Sequence, residues 1–210
     1  MPPKRLSCAT CLRPQSTCIC QWITPTAHAV EVVLLQHPLE THNAKGSARL
    51  LHLSLSHSKL LTGEVFNPQE LQALLAGPRQ AILLYPETPD LPAPPPLSGE
   101  HLRNPSQLRL IVLDGTWRKS RKMLHLNPVL QGIPRLPLSH LAASRYLIRK
   151  AHRPDQLSTL EATCAALTHL EAYVNDGSED AARRFFPLLS AFDGFVAQQM
   201  AYGQGLYADV

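Results

Sequence analysis

The chain has 210 residues, 44% hydrophobic and 17% charged, with a formal net charge of +4. That length favours one domain with at most a small appendage, and the composition can build a normal core, which excludes a disordered chain. No run approaches the roughly 18 uninterrupted apolar residues of a membrane span, and the opening "MPPKRLSCATC" has no hydrophobic signal region, so a soluble, cytoplasmic protein without a membrane partner is expected.

The first feature along the chain is "CATCLRPQSTCIC". Cys8, Cys11, Cys18 and Cys20 follow the spacing C-x2-C-x6-C-x-C. A Cys-x-x-Cys turn can aim two thiolates at one tetrahedral ion, and a second close pair can complete the shell. Two disulfides are disfavoured in a cytosolic chain, and a redox pair leaves the second pair unexplained. The expectation is a structural zinc ion, with an iron–sulfur cluster as the alternative. A closed four-thiolate shell has no open position for catalysis; it folds a short knuckle that cannot bury a core alone. The domain expectation is therefore a metal-binding segment over 1–25 and an α/β domain over 26–210.

"AVEVVLLQ", 29–36, reads as a buried strand ended by the polar loop "HPLETHN". "KGSARLLHLSLSH", 45–57, reads as helical. "NPQELQALLAG", 67–77, carries helix punctuation: Asn67 as N-cap, Pro68 at the first position, Gly77 past the end. "QAILLYP", 80–86, and "LRLIVLD", 108–114, are two further strands, separated by the stiff proline-rich loop "PETPDLPAPPP". "IPRLPLS", 133–139, reads as a fourth strand, edge or irregular because of its prolines. Helices are expected over 158–174 and 179–203. The first of these carries Cys164 in an apolar stripe, as core packing.

Strands alternating with helices imply an α/β fold with a mostly parallel sheet flanked by helices. Ligands in such sheets sit at the carboxyl ends of strands. That rule selects three clusters: His37 to Glu40, Tyr85 to Glu87, and Asp114 to Trp117.

The third cluster opens "DGTWRKSRKML". On a helical wheel Arg118, Arg121, Lys122 and His125 occupy one face, with Thr116, Trp117, Ser120, Met123 and Leu124 opposite. Four like-signed groups on one face repel each other, and a polyanion would relieve that repulsion. The ordinary alternative is a solvated face. Asp114 could be a helix N-cap or a general base. Trp117, on the apolar face, is expected to pack against the sheet, with stacking on a base as the alternative. His37, next to proline at a strand end, reads as a structural hydrogen-bonding residue or, with Glu40, as a substrate contact. Ser158-Thr159-Leu160-Glu161 has the form of a capping box.

Asp114-Gly115-Thr116-Trp117 resembles the Asp-x-Thr-Trp signature of the DTW-domain family. The four-cysteine segment followed by "ITP", then "QHPLE" with "ARLL", "LLYPE" and "RPDQLSTLEA", resemble that family's other motifs in the same order, over nearly the whole chain. The resemblance implies a tRNA-uridine aminocarboxypropyltransferase. Such an enzyme moves the 3-amino-3-carboxypropyl group of S-adenosylmethionine onto N3 of a uridine and releases methylthioadenosine. It implies a fold related to the SPOUT class, with a C-terminal knot that no periodicity in the sequence reveals.

Under this resemblance Asp114 is the candidate catalytic residue, as base, uracil orienter or sulfonium partner. Tyr85, Pro86, Glu87, Thr116, Trp117, Ser158, Thr159 and Glu161 are the candidate donor contacts. His37, Glu40, Arg118, Arg121, Lys122, Arg149 and Lys150 are the candidate tRNA contacts. The basic cluster Arg145, Arg149, Lys150, His152 and Arg153 would join the 118–125 stripe, together with Lys4, Arg5 and Arg13 of the knuckle. The partners implied are tRNA and S-adenosylmethionine, with no obligate protein partner. Two other functions remain open at this point: an RNA methyltransferase using the same donor, and a non-catalytic zinc protein that binds RNA.

Overall fold

A computed structural model of the chain describes residues 6–88, 93–138, 157–172 and 178–203. Strands β1 (Glu31–Gln36), β2 (Ser58–Thr62), β3 (Gln80–Leu84) and β4 (Leu108–Asp114) form one parallel sheet in the order β2-β1-β4-β3. Every residue of the two central strands, β1 and β4, is buried. This is the expected state of parallel strands covered on both faces, and it explains their unbroken apolar runs.

Alternate residues of those strands feed two cores. Val32, Leu34, Leu110 and Val112 pack with α1 (Ala48–Ser54), α5 (Thr159–Ala172) and α6 (Ser178–Gly203). Val33, Leu35, Ile111 and Leu113 pack with α2 (Pro68–Leu75) and α4 (Trp117–Leu126). A one-turn α3 (Gly99–Leu102) precedes β4. The helix after β1 thus covers one face and the helix after β4 the other. The two connections part company between adjacent strands, which opens a crevice at their carboxyl ends. Gln36 and Asp114 are register partners at that point.

The strand expectations over 29–36, 80–86 and 108–114 hold with small trims. Asn67 caps α2 by accepting from the amides of Gln69 and Glu70, and Cys164 is buried in the first core. Two expectations need correction. Only 48–54 of the segment 45–57 is helical, and the following residues form β2, an edge strand with its side chains mostly exposed. Its "SKLLT" lacks the apolar run of a buried strand, so it left no clear signal. The segment at 133–138 is not a full strand. Leu83 donates its amide to the Pro134 carbonyl at 2.8 Å and accepts from the Leu136 amide at 2.9 Å, flanking one bridge to Arg135. Proline without an amide proton limits the pairing to that step.

The cysteine segment docks on the first core rather than standing apart. Cys11 and Ile19 are buried within it. The Trp22 indole N–H donates to Gln198 Oε1 at 2.6 Å, and the Tyr202 hydroxyl donates to the Ser16 carbonyl at 2.7 Å. Gly194 makes the close approach possible, since a Cβ there would lie 2.1 Å from the Trp22 ring. No described helix is long and apolar enough to cross a membrane. Residues 139–156, where a knot and the basic cluster Arg145 to Arg153 would fall, lie outside the described residues, as do Lys4 and Arg5.

Candidate active site

Asp114 ends β4 with 6% of its surface exposed. Gln36 Nε2 donates to its Oδ2 at 2.9 Å, and the Thr159 hydroxyl donates to its Oδ1 at 2.6 Å. Its carbonyl accepts from the His37 amide at 2.9 Å. Burial pushes the Asp114 carboxyl above the usual range; the Thr159 and Gln36 hydrogen bonds work against that rise, and nearby Glu40 reinforces it. The helix cap of α4 is Thr116, whose side chain accepts from the Lys119 amide. Capping therefore does not account for Asp114. The carboxylate is buried in the crevice with both oxygens aimed by side chains from β1 and α5.

Trp117 departs from the packing expectation: it is 59% exposed. It occupies the first position of α4, whose buried face is made by Ser120, Met123 and Leu124 further along. Its ring meets buried Tyr85 edge-on, with centroids 5.8 Å apart. The guanidinium of Arg135 lies over Tyr85, 6.0 Å from the ring centre. Arg135 Nη1 donates to the Pro86 carbonyl at 3.3 Å and to the Thr88 hydroxyl, while its Nε and Nη2 are buried without a partner among the described residues. Glu87 is exposed just beyond.

The capping box is present. The Ser158 amide donates to Glu161 Oε2 at 2.8 Å, and the Glu161 amide donates to Ser158 Oγ at 3.2 Å. This box sets the start of α5 and turns Thr159 toward Asp114.

His37 Nδ1 accepts from the Leu39 amide at 3.1 Å, which leaves Nε2 to carry the proton and donate to Glu64 at 2.9 Å. Glu40 accepts from Lys119 Nζ and Asn43 Nδ2, both at 2.7 Å. Burial opposes ionisation of Glu40, but these donors reverse that and leave its carboxyl below the usual range. Lys122 and His37 hold Glu64 low in the same way. The cationic face of α4 is thus partly answered by acids. Lys122 pairs with Glu64 at 2.9 Å, and Arg118, Arg121 and His125 are exposed.

The four thiols of Cys8, Cys11, Cys18 and Cys20 converge, all sulfurs lying within 4.8 Å of one another. The Cys8–Cys20 and Cys11–Cys18 sulfurs are 3.5 and 3.7 Å apart. A tetrahedron of sulfurs around one ion at about 2.3 Å has edges of about 3.8 Å, so this group can hold a metal ion. Hydrogen bonds from the amides of Cys11 and Thr10 lower the Cys8 thiol to about 6, whereas desolvation raises Cys20 to about 12. Arg13 is a clamp rather than an open cation. It donates to the carbonyls of Ala44 and Gly46 at 2.7 and 3.0 Å and lies over the Phe195 ring.

Sequence reasoning missed Gln36, Glu64, Lys119 and Arg135. Gln36 could have been found as a polar residue closing an apolar strand, and Arg135 as an arginine set between prolines in "IPRLP". A cavity of about 530 Å³ opens at the amino ends of β3 and β4, lined by Arg79, Glu100 and His101 among others; it touches none of the residues above.

The family model of the DTW domain matches residues 5–200. A Drosophila melanogaster protein named tRNA-uridine aminocarboxypropyltransferase 2 is 31% identical over 81% of this chain and 69% of its own length. The Macaca fascicularis protein of the same name is 26% identical over 80% of this chain, and tRNA-uridine aminocarboxypropyltransferase A of Arabidopsis thaliana is 29% identical over 60%. The chain spans 57% and 53% of those two relatives. No solved structure matches at the same stringency. With its Asp-Gly-Thr-Trp sequence set at the crevice of the sheet and the match running almost from end to end, the chain belongs to the DTW-domain family.

Proposed function

We propose that the protein transfers the 3-amino-3-carboxypropyl group of S-adenosylmethionine to N3 of a uridine in tRNA, in the cytoplasm. The observation that carries this reading is the buried Asp114 carboxylate, first residue of the family signature, held by Gln36 and Thr159 at the crevice between β1 and β4. The names of the relatives support the aminocarboxypropyl group and a tRNA uridine as its acceptor.

When bound, the donor supplies a sulfonium whose γ-carbon is open to attack. The residues present fit such a molecule: an acid, Asp114, suits its cationic end, and the strand ends also carry two buried guanidinium N–H groups without a partner among the described residues. Tyr85, Pro86 and Glu87 face it from one side, with Thr116, Ser158, Thr159 and Glu161 from the other. N3 of uridine is a poor nucleophile until its proton leaves, and Asp114 accepts that proton. A carboxyl raised by burial is a better base than an ordinary aspartate. Its two fixed hydrogen bonds orient it before the substrate arrives.

Exposed Trp117 stacks on the uracil. Arg118, Arg121 and Lys122 contact phosphates, joined by Arg149 and Lys150. His37 and Glu40 serve the substrate side by holding Glu64 and Lys119 at the rim. Cys8, Cys11, Cys18 and Cys20 hold a structural zinc ion; one ion suits sulfurs this close better than an iron–sulfur cluster, which spreads its ligands over several irons. The knotted topology of the SPOUT class belongs to this proposal too.

Mass spectrometry of one reaction tests it: purified protein, bulk tRNA lacking the modification, and S-adenosylmethionine. Aminocarboxypropyl-uridine with matching methylthioadenosine is expected. Methylated nucleoside with S-adenosylhomocysteine would make the protein a methyltransferase, and no product from folded, metal-loaded protein would leave an RNA-binding role.

A further inference from the structure

Arg135 belongs to none of the family motifs set out above. Two backbone hydrogen bonds, from the Leu83 amide to Pro134 and from the Leu136 amide to Leu83, flank Arg135 and fix its main chain against the edge of β3. In that register it shares the face of Leu83 and Tyr85, and its guanidinium lies over the Tyr85 ring. The side chain is buried, with only 6% of the residue exposed.

A guanidinium has two edges that can grip an anion with parallel N–H bonds. Here Nη1 is already committed to the Pro86 carbonyl and the Thr88 hydroxyl. The other edge, made by Nε and Nη2, is buried and has no partner among the described residues. Those two N–H groups point the same way and match the two oxygens of a carboxylate. A buried cation without its anion is costly, and buried polar groups are nearly always paired. Glu87 and Tyr85 act on Arg135 through their fields. Among the described residues nothing answers that edge, and its geometry suits a small planar anion brought by a ligand. An RNA phosphate is a poor fit, because a bulky backbone does not reach a side chain this deep.

The position also fits. Arg135, Tyr85 and Trp117 form a contiguous row from the end of β3 to the helix after β4. Arg135 bridges the outer edge of β3, which lies next to β4, so two strand spacings of about 4.8 Å each separate its backbone from that of Asp114, a gap for the arginine side chain and the donor's aminocarboxypropyl chain to span together. A sulfonium has three electrophilic carbons, so holding the carboxylate end decides which one meets the nucleophile.

We propose that Arg135 anchors the α-carboxylate of the donor through Nε and Nη2 and is a specificity-determining residue of the transfer site. This rests on the reaction proposed above.

The test is calorimetric titration of the full chain with S-adenosylmethionine, decarboxylated S-adenosylmethionine and methylthioadenosine, beside the product assay. The wild type should bind S-adenosylmethionine about 10- to 100-fold more tightly than its decarboxylated form, the range of a charge-assisted pair. Arg135→Lys keeps the charge but loses the fork; it should shrink that preference to a few-fold and leave affinity for the decarboxylated ligand nearly unchanged. If the variant does not fold, the wild-type ligand series still decides: equal affinity for the two forms overturns the anchor. Full preference retained in folded Arg135→Lys overturns it as well, as does a loss confined to tRNA affinity. Transfer without carboxylate preference sinks the anchor alone, whereas no binding of S-adenosylmethionine sinks the reaction with it.

Discussion

The Thr159 hydroxyl reaches Asp114 Oδ1 at 2.6 Å across 45 residues of sequence. The contact joins the signature at the end of β4 to the start of α5, two motifs with no sequence proximity. Removing the hydroxyl frees one carboxylate oxygen without emptying the core. Thr159→Val should lower the transfer rate about tenfold, the scale of one hydrogen bond to a charged group, and Thr159→Ser should restore most of it. A Thr159→Val rate equal to wild type would detach α5 from the chemistry.

Asp114→Ala should abolish transfer, by 100-fold or more if the carboxylate is the base, with the circular dichroism of the folded chain retained. Substantial residual turnover would remove Asp114 from the mechanism.

The raised Asp114 carboxyl fixes the sign of two pH effects. The unfolded chain releases this proton near 3.9, and the folded chain holds it longer. Stability contributed by the neutral form is full below about pH 3.9 and is lost as pH rises through the folded value. The ionised carboxylate is a cost at pH 7, so Asp114→Asn should melt higher than wild type there while losing activity. Gln36 can flip its amide and Thr159 can rotate its hydroxyl to suit the new side chain. The transfer rate should rise with pH to a plateau; a rate that falls instead would contradict a base at this position.

Arg118→Ala should weaken tRNA binding and reduce the slope of log affinity against log salt by about one. Adding Lys122→Ala should do less than a second free cation would, because Lys122 is already paired with Glu64. An unchanged slope in the double variant would return this helix face to ordinary solvated charge.

Chelation of the metal should expose four reactive thiols and shift the fluorescence of Trp22, which is seated against Gly194 and Gln198. The measurement is best made in Trp117→Phe, which leaves Trp22 as the single reporter among the chain's two tryptophans. Unreactive thiols after chelation would argue against a metal-built knuckle.

The sequence was informative where burial leaves a pattern. β1 and β4 announced themselves by unbroken apolar runs, and their polar ends marked the crevice. The cysteine spacing foretold the convergence of four thiols. β2 was hidden because an edge strand buries too little to need a pattern. Trp117 was misplaced because a wheel assumes a surface beneath the whole helix, whereas α4 buries only Ser120, Met123 and Leu124 and leaves its first residue exposed. Gln36 and Arg135 left only the faint signals of a polar strand end and an arginine between prolines, and Glu64 left none, because their roles depend on partners brought near by the fold. The basic cluster around Arg149 and Lys150 lies outside the described residues.

The seat of the knuckle on α6 has a consequence for how the chain is made. Trp22 and Gln198 are 176 residues apart. Synthesis runs from the amino end at about 5–20 residues per second, so the cysteines emerge many seconds before the helix that receives them. During that interval the thiols are ligands without a floor, open to oxidation and to the wrong ion. A metal captured early would protect them and leave a preformed piece waiting for its socket. Docking comes last in that order, because the helix that carries Gly194, the seat of the Trp22 indole, is the last described element to be made.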